Sequence, residues 1–482
     1  MAAVIIALLL AVATALALKS PRTALLVALF LVSWGGLDVD LGLRLTAYQL
    51  FMAPLCFVMA LRLIYPGTRP HTLHLGWPFA LMVLYAIINS AFQIAALPQV
   101  EVANSVLRSP VIRATIQIML HLFTFAPVVL VPFLFQQPSD ALKLLRVWFA
   151  STLTLAVAGF LQLAIWYGTG FNPLPLGFSN TLLGGAAPVL REGIVNLDGL
   201  FIYLMNSFAA EPRFLGTAFG LGMVILQGLA LALPRVPGLR LFGVWLFLLV
   251  ALLLTYSTSG IAVWIIGTAA LLPAMWVCRV PIRRSTRVIL GAASAVILPL
   301  IIAVIVADDA GIPIIEIINE RTLDRFTLEA ALEDFDLAIA VWLGAEPQHL
   351  WFGGGIGNAH LYATPYLLPE HAGYAEGQVF SAKTLILRHT SEQGLVGLIL
   401  LFTFLFSRVL AAAWVRGLPW LAPLLPLSLA LFAMTLGSVQ LMTEVWFTAG
   451  VLVMLAGHGA RARAAAKTTD TATPPPAAAL PA

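Results

Sequence analysis

Charge is scarce in this chain. Of its 482 residues only 10% are Asp, Glu, Lys or Arg, against 61% that are hydrophobic, and the mean hydropathy is +0.97. Soluble domains carry roughly 25% charged residues, so a water-soluble globular fold is excluded. Cysteine is nearly absent: Cys56 and Cys278 lie in or beside apolar runs, which supports neither a disulfide framework nor a cysteine-based metal site. The short alternating segments of an outer-membrane barrel are missing as well. The net charge of +4 is dispersed among short turns rather than gathered on one soluble face, so no nucleic-acid-binding surface is expected. No basic region precedes the first apolar run, and Lys19 and Arg22 follow it, so the amino terminus reads as a first span rather than a signal peptide.

What the chain does have is apolar runs of roughly 17–25 residues, each long enough to cross a bilayer as a helix. They fall near 3–18, 23–37, 46–64, 76–97, 112–135, 142–166, 214–233, 239–256, 259–277, 287–307, 385–406, 419–436 and 440–457. The expected fold is therefore all-α, a polytopic bundle of about 12–13 transmembrane helices. It divides into an N-terminal bundle (1–307), a large partly helical loop (308–384), C-terminal spans (385–457) and a low-complexity tail (458–482) expected to be disordered.

Basic residues mark alternate connections: Arg62 and Arg69, Lys143 and Arg146, Arg235 and Arg240, Arg279 to Arg287, Arg408 and Arg416, then Arg461, Arg463 and Lys467. That side is predicted to be cytoplasmic, with the C-terminus; Arg108, near Glu101, is the main exception. The long connections near 169–212 and 308–384 then face outward, and loops of this length generally have a function. In the second, Leu328, Ala331, Leu332, Phe335, Ala338, Ile339 and Trp342 recur at helical spacing. They predict an amphipathic helix lying on the membrane surface or on the bundle, or one that merely covers span ends.

The scarce ionisable residues concentrate between Glu320 and Gly397. Arg321 and Arg325 are one helical turn apart, a fork that suits a phosphate or diphosphate, or else pairs with Glu320, Asp324 or Glu329. Glu211 and Arg213 stand where the first long loop enters a span; an Arg there either reaches the same anion or snorkels to the interface. Lys383, Arg388, His389 and Glu392 form the densest cluster beside a span. Thr384, Arg388 and Glu392 share a face, with His389 on the neighbouring strip. A His beside a Glu could remove a proton from a sugar hydroxyl, while an Arg388–Glu392 pair could simply be a buried ion pair. Gly353 to Gly357 lacks the GK[ST] and the strand–helix context of a phosphate-binding loop, and reads as a tight turn that brings backbone close to the bundle or a ligand. His349, His360 and His371 lack metal-ligand spacing, so no metal is assigned.

At these residues the chain resembles the O-antigen ligase and polymerase superfamily, multispan proteins acting on undecaprenyl-diphosphate-linked glycans. The similarity rests on Arg321 and Arg325 ahead of an amphipathic helix, then WFGGGIGN (Trp351–Asn358), then SAKTLILRHTSEQGLVGL (Ser381–Leu398). EPRFLG (Glu211–Gly216) and LLLTYSTSG (Leu252–Gly260) match earlier pieces in order. Two positions depart: the family's motif His falls on Lys383, and Thr258 stands where the family often has Arg.

The resemblance implies an inner-membrane glycosyltransferase without nucleotide sugar, cofactor or obligatory metal. Arg213, Arg321, Arg325 and Arg388 would hold the lipid diphosphate, and Lys383, His389 or Glu392 would carry the catalytic step. The leading expectation is a polymerase that joins undecaprenyl-diphosphate-linked repeat units into O-antigen, capsule or exopolysaccharide, served by a flippase and a chain-length regulator. A ligase moving finished glycan to lipid A core or another acceptor uses the same donor. A transporter of lipid-linked sugars is the alternative of another class; it calls for ionisable residues within several spans, which here are few apart from Glu444 and Glu392.

Overall fold

The computed structural model describes residues 2–40, 44–64, 75–96, 109–171, 177–179, 194–197, 200–209, 211–232, 238–278, 291, 295, 306, 334–367, 382, 384–413, 421–434 and 442–470. They are mostly helical. In chain order come α1 (Ala2–Lys19), α2 (Pro21–Phe30), α3 (Ala47–Ile64), α4 (Trp77–Ala96), α5 (Pro110–Leu134), α6 (Pro138–Thr169), α7 (Pro212–Ala232), α8 (Gly238–Leu254), α9 (Thr258–Ala269) and α10 (Leu271–Cys278). The short α11 (Asp334–Ala345), α12 (Pro347–Phe352) and α13 (Ala359–Ala363) follow, then α14 (Leu385–Ala413), α15 (Leu421–Met434) and α16 (Met442–Asp470). Among the described residues six stretches are long and apolar enough to cross a membrane, by length and composition.

Local chemistry sets several boundaries. The Gln137 side chain and Asp140 form a capping box at the start of α6, with Pro138 in the first turn, and Gly170 closes that helix at φ +69°. Ser257 caps α9 by accepting from the Gly260 amide at 3.1 Å.

The expected runs coincide with helices, except 287–307, of which only residues 291, 295 and 306 are described. Three details differ. The run at 23–37 gives a helix that stops at Phe30, followed by turns. The run at 259–277 divides into α9 and α10 at Ala270. The last helix continues to Asp470, well past the expected start of the disordered tail. Short strands, which an apolar-run reading does not foresee, lie in the connections. β1 (Asp38–Asp40) pairs antiparallel with β2 (Arg44–Thr46) and parallel with β3 (Gly177–Ser179), while β4 (Ile194–Leu197) and β5 (Leu200–Tyr203) form a hairpin.

α7 is almost wholly buried, packed by α6, α8, α9 and α15. Its closest neighbour is α9, and small residues permit the approach: a Cβ added to Gly220 would lie 2.3 Å from Gly260 O, and one added to Gly260 would lie 2.4 Å from Gly216 O. Gly260→Leu is therefore expected to lower the detergent melting temperature, with a cost of about 1–3 kcal/mol or more from overpacking against backbone.

A second group is formed by α4, α5, α14 and α16 around Phe79, Met82, Val128, Phe404 and Trp446. The folded loop sits against it. Of the helical stripe read from the sequence, Ala338, Ile339 and Trp342 are buried, and 328–333 lie outside the described residues. Ile339 and Trp342 pack with Ala359, Ala363 and Ala382, so this face of α11 meets protein rather than lipid.

Candidate functional site

The site is built around a break in α14. Gly394 adopts φ +67° and ψ −176°, a conformation essentially reserved for glycine, and the helical hydrogen-bond ladder is interrupted there. The carbonyls released by the break are taken by other elements. Gly354 N donates to Ser391 O at 2.8 Å and Gly355 N to Glu392 O at 3.0 Å. The Tyr85 hydroxyl, from α4, donates to Gln393 O at 2.9 Å. Asn89 Nδ2 donates to Phe352 O at 2.6 Å, joining α4 to the chain entering the turn.

The partner surface is the glycine turn read from the sequence. Gly353 has φ +72° and ψ −177°, nearly the geometry of Gly394. The two fit each other without side chains: a Cβ on Gly353 would lie 2.5 Å from Gln393 N, and one on Gly394 would lie 2.1 Å from Trp351 O. Beyond it, Ile356 N donates to Ser90 Oγ at 3.2 Å, and a Cβ on Gly357 would meet the Gln117 side chain. The turn thus lies between α4, α5 and α14, backbone on backbone.

Ionisable side chains gather beside this junction. Arg388 Nε donates to Glu392 Oε1 at 3.1 Å, one helical turn away. His121, from α5, places Nε2 3.6 Å from Glu392 Oε2, and its Nδ1 lies 2.7 Å from Gln117 O. Glu392 Oε1 thus accepts from Arg388 while Oε2 faces the His121 ring, in a carboxylate only 5% exposed. The next residue around the helix, His389, is also buried, and its Nε2 has no partner among the described residues; the same holds for both ends of the Gln393 amide.

A second set of contacts stiffens the loop. The His349 ring packs against both Trp342, at 5.2 Å, and Tyr362, at 4.6 Å, which stack on each other at 5.3 Å. Its Nδ1 is 2.6 Å from Glu346 Oε2, while Glu346 Oε1 accepts from the Tyr366 hydroxyl at 3.2 Å. Burial, and then the Glu346 carboxylate, hold the Tyr362 phenol above its ordinary value, so it stays neutral near pH 7. His349 is accounted for by packing and its contact with Glu346. Among the described residues no group of three or more His, Cys, Asp or Glu could hold a metal ion.

Of the residues singled out in the sequence, the structure brings together Arg388, His389 and Glu392 with the glycine turn. The alternative reading of Arg388 as the partner of Glu392 is correct at the level of geometry. Arg213 is provided for separately: its Nε lies 2.7 Å from Glu211 Oε2, its guanidinium sits 4.7 Å from the Phe214 ring centroid, and its carbonyl accepts from Ser257 Oγ at 3.2 Å. Arg321, Arg325 and Lys383 lie outside the described residues, as do Glu101, Arg108 and His371.

The sequence reading missed His121, Tyr85, Asn89 and Gln117. A signal was present. Tyr85, Asn89 and Gln93 are spaced i, i+4, i+8 along α4, and Gln117 and His121 are spaced i, i+4 along α5, each a polar stripe on an apolar helix.

No protein-family model matches the sequence, and no curated protein matches it.

Proposed function

We propose that the chain is a multispan glycosyltransferase of the bacterial inner membrane, with its site toward the periplasm and its C-terminus in the cytoplasm. It polymerises undecaprenyl-diphosphate-linked repeat units. The observation that supports this most is the glycine turn of the loop closing, backbone on backbone, over Arg388, His389 and Glu392. A loop fixed in this way places an arginine and an unpartnered imidazole nitrogen where a long connection meets the bundle. That is what a reaction between two lipid-linked substrates requires.

In this reading the acceptor sugar hydroxyl attacks the anomeric carbon of the donor glycan. The new C–O bond forms as the bond to the diphosphate oxygen breaks, and undecaprenyl diphosphate leaves with the bonding electrons. His389 Nε2, which has no hydrogen-bond partner among the described residues, takes the hydroxyl proton in the tautomer that leaves its lone pair bare. The Nη donors of Arg388 offset charge on the departing diphosphate, a task suited to a planar fork. Glu392, whose Oε1 accepts from Arg388, holds that arginine rather than receiving the proton. Arg213, Arg321, Arg325 and Lys383 are proposed as further diphosphate contacts. A repeat-unit flippase supplies substrate, and a chain-length regulator sets the product distribution.

The test is surface-glycan length in a deletion strain complemented with wild type or His389→Ala, with protein levels matched. The wild type is expected to restore long glycan. The vector and His389→Ala are expected to leave a single repeat on its final acceptor. Long glycan stranded on undecaprenyl diphosphate in the deletion would make the protein a ligase. Unaltered glycan would bring the transporter forward.

A further inference from the structure

His121 has no part in the reading above, yet it is a side chain from another helix that faces the Glu392 carboxylate. Its surroundings fix its chemistry. Gln117 O, 2.7 Å from Nδ1, is an acceptor only, so Nδ1 carries a hydrogen. Nε2 of a neutral ring would then point a bare lone pair at the Glu392 Oε2 lone pairs, 3.6 Å away. At 3.6 Å the two atoms are farther apart than a hydrogen bond, and a proton between them would turn repulsion between two buried acceptors into attraction.

We propose that His121 is a positioning residue of this site: a proton held between His121 Nε2 and Glu392 Oε2 fixes the carboxylate that orients Arg388, and leaves the row with one net positive charge for an anionic ligand. Arg388 contributes one positive charge, Glu392 one negative, and the protonated His121 a second positive. A row of Arg and Glu alone would be neutral. The added charge suits a phosphate or diphosphate group in a water-poor setting, where uncompensated charge is strongly felt. This deepens the donor-site reading and rests on it for the identity of the ligand; the His121–Glu392 link itself does not.

The groups that face His121 limit what else could titrate with it. From α14 these are Arg388, His389 and Glu392. From α4, the Tyr85 hydroxyl is engaged by Gln393 O. On its own helix the ring meets Phe125, which in turn stacks edge-on against Trp446 of α16. Glu444 of α16 accepts instead from Ser33.

Two measurements on the purified full chain in lipid nanodiscs decide the matter. In the first, melting temperatures of wild type, His121→Ala, Glu392→Gln and the double variant form a thermodynamic cycle. The double variant is expected to be no worse than the poorer single variant; additive losses overturn the proposal. In the second, binding of undecaprenyl diphosphate is measured from about pH 6 to about pH 8, the range in which an imidazole proton is lost, with uncharged undecaprenol as the control. The wild-type dissociation constant is expected to rise about tenfold with pH, the loss of one favourable charge contact. His121→Gln should be flat across that range, whereas His389→Gln should keep the slope. A slope that survives His121→Gln, or disappears in His389→Gln, overturns the proposal. If the wild type prefers neither lipid, the donor-site reading falls. A non-additive melting cycle would then still support the His121–Glu392 link, so the two failures are distinguishable.

Discussion

Gly394→Ala is expected to separate the loop from the bundle and, on the proposed function, to abolish long glycan. The added methyl would be forced into φ +67°, ψ −176°, with Trp351 O 2.1 Å and Trp351 C 2.2 Å away. Both neighbours are main-chain atoms, so no rotamer change relieves the clash. Strain and overpacking together should cost about 3 kcal/mol or more. Gly353→Ala meets Glu392 and Gln393 backbone from the other side and should behave alike. Because both substitutions break one contact, the double variant should resemble the worse single variant rather than their sum. Gly344→Ala is the control: nothing lies within 4 Å of its added Cβ, and it should leave melting unchanged or slightly raised. Detergent melting curves and glycan ladders read both effects. A Gly394→Ala protein with wild-type melting and wild-type glycan would mean that the backbone junction does not hold the loop.

Arg388→Ala should be nearly as damaging, for an electrostatic reason. The Arg388–Glu392 pair is 18% and 5% exposed, so removing the arginine strands a buried carboxylate. Breaking one side of such a pair costs about 3–5 kcal/mol. Glu392→Gln removes the charge itself and should be milder in Arg388→Ala than in the wild type. Arg388→Lys keeps the positive charge but loses the planar fork, so it should retain most of the stability and lose at least about tenfold in polymerisation. Equal melting of Arg388→Ala and wild type would show that the pair does not stabilise the fold. Full activity of Arg388→Lys would remove the fork from the mechanism.

The helices were legible because apolar runs leave the chain few alternatives, and the cluster at Arg388, His389 and Glu392 because charge is so scarce around it. Less could be read where several elements share the work. By sequence Gly394 and Gly397 are two small residues of the kind that ease helix packing; that Gly394 interrupts α14 follows only from the loop lying against it. Gly353 and Gly394 adopt matching geometries, a relation between sequence-distant positions that composition does not encode. His121 and Asn89 each lie on a short polar stripe of an apolar helix, and each acquires meaning only from Glu392 and Phe352. The helical stripe ending at Trp342 was visible by spacing, but the surface it covers was not, since Ala359, Ala363 and Ala382 give no hint of pairing with it. Arg213 shows the opposite case: its chemistry suggests a shared anion site, while among the described residues it meets Glu211, Phe214 and Ser257.

The junction also dictates an order of events during synthesis. Asn89 and Glu392 are separated by 303 positions in the chain. At about 5–20 residues per second, α4 and α5 leave the ribosome roughly 15–60 s before the segment that completes their polar stripes. Throughout that interval Asn89, Gln117 and His121 are without the loop and α14. Biogenesis of the protein should therefore depend on an insertase or chaperone that shields these two helices. A chain halted before Glu392 should be a good substrate for membrane quality-control proteolysis.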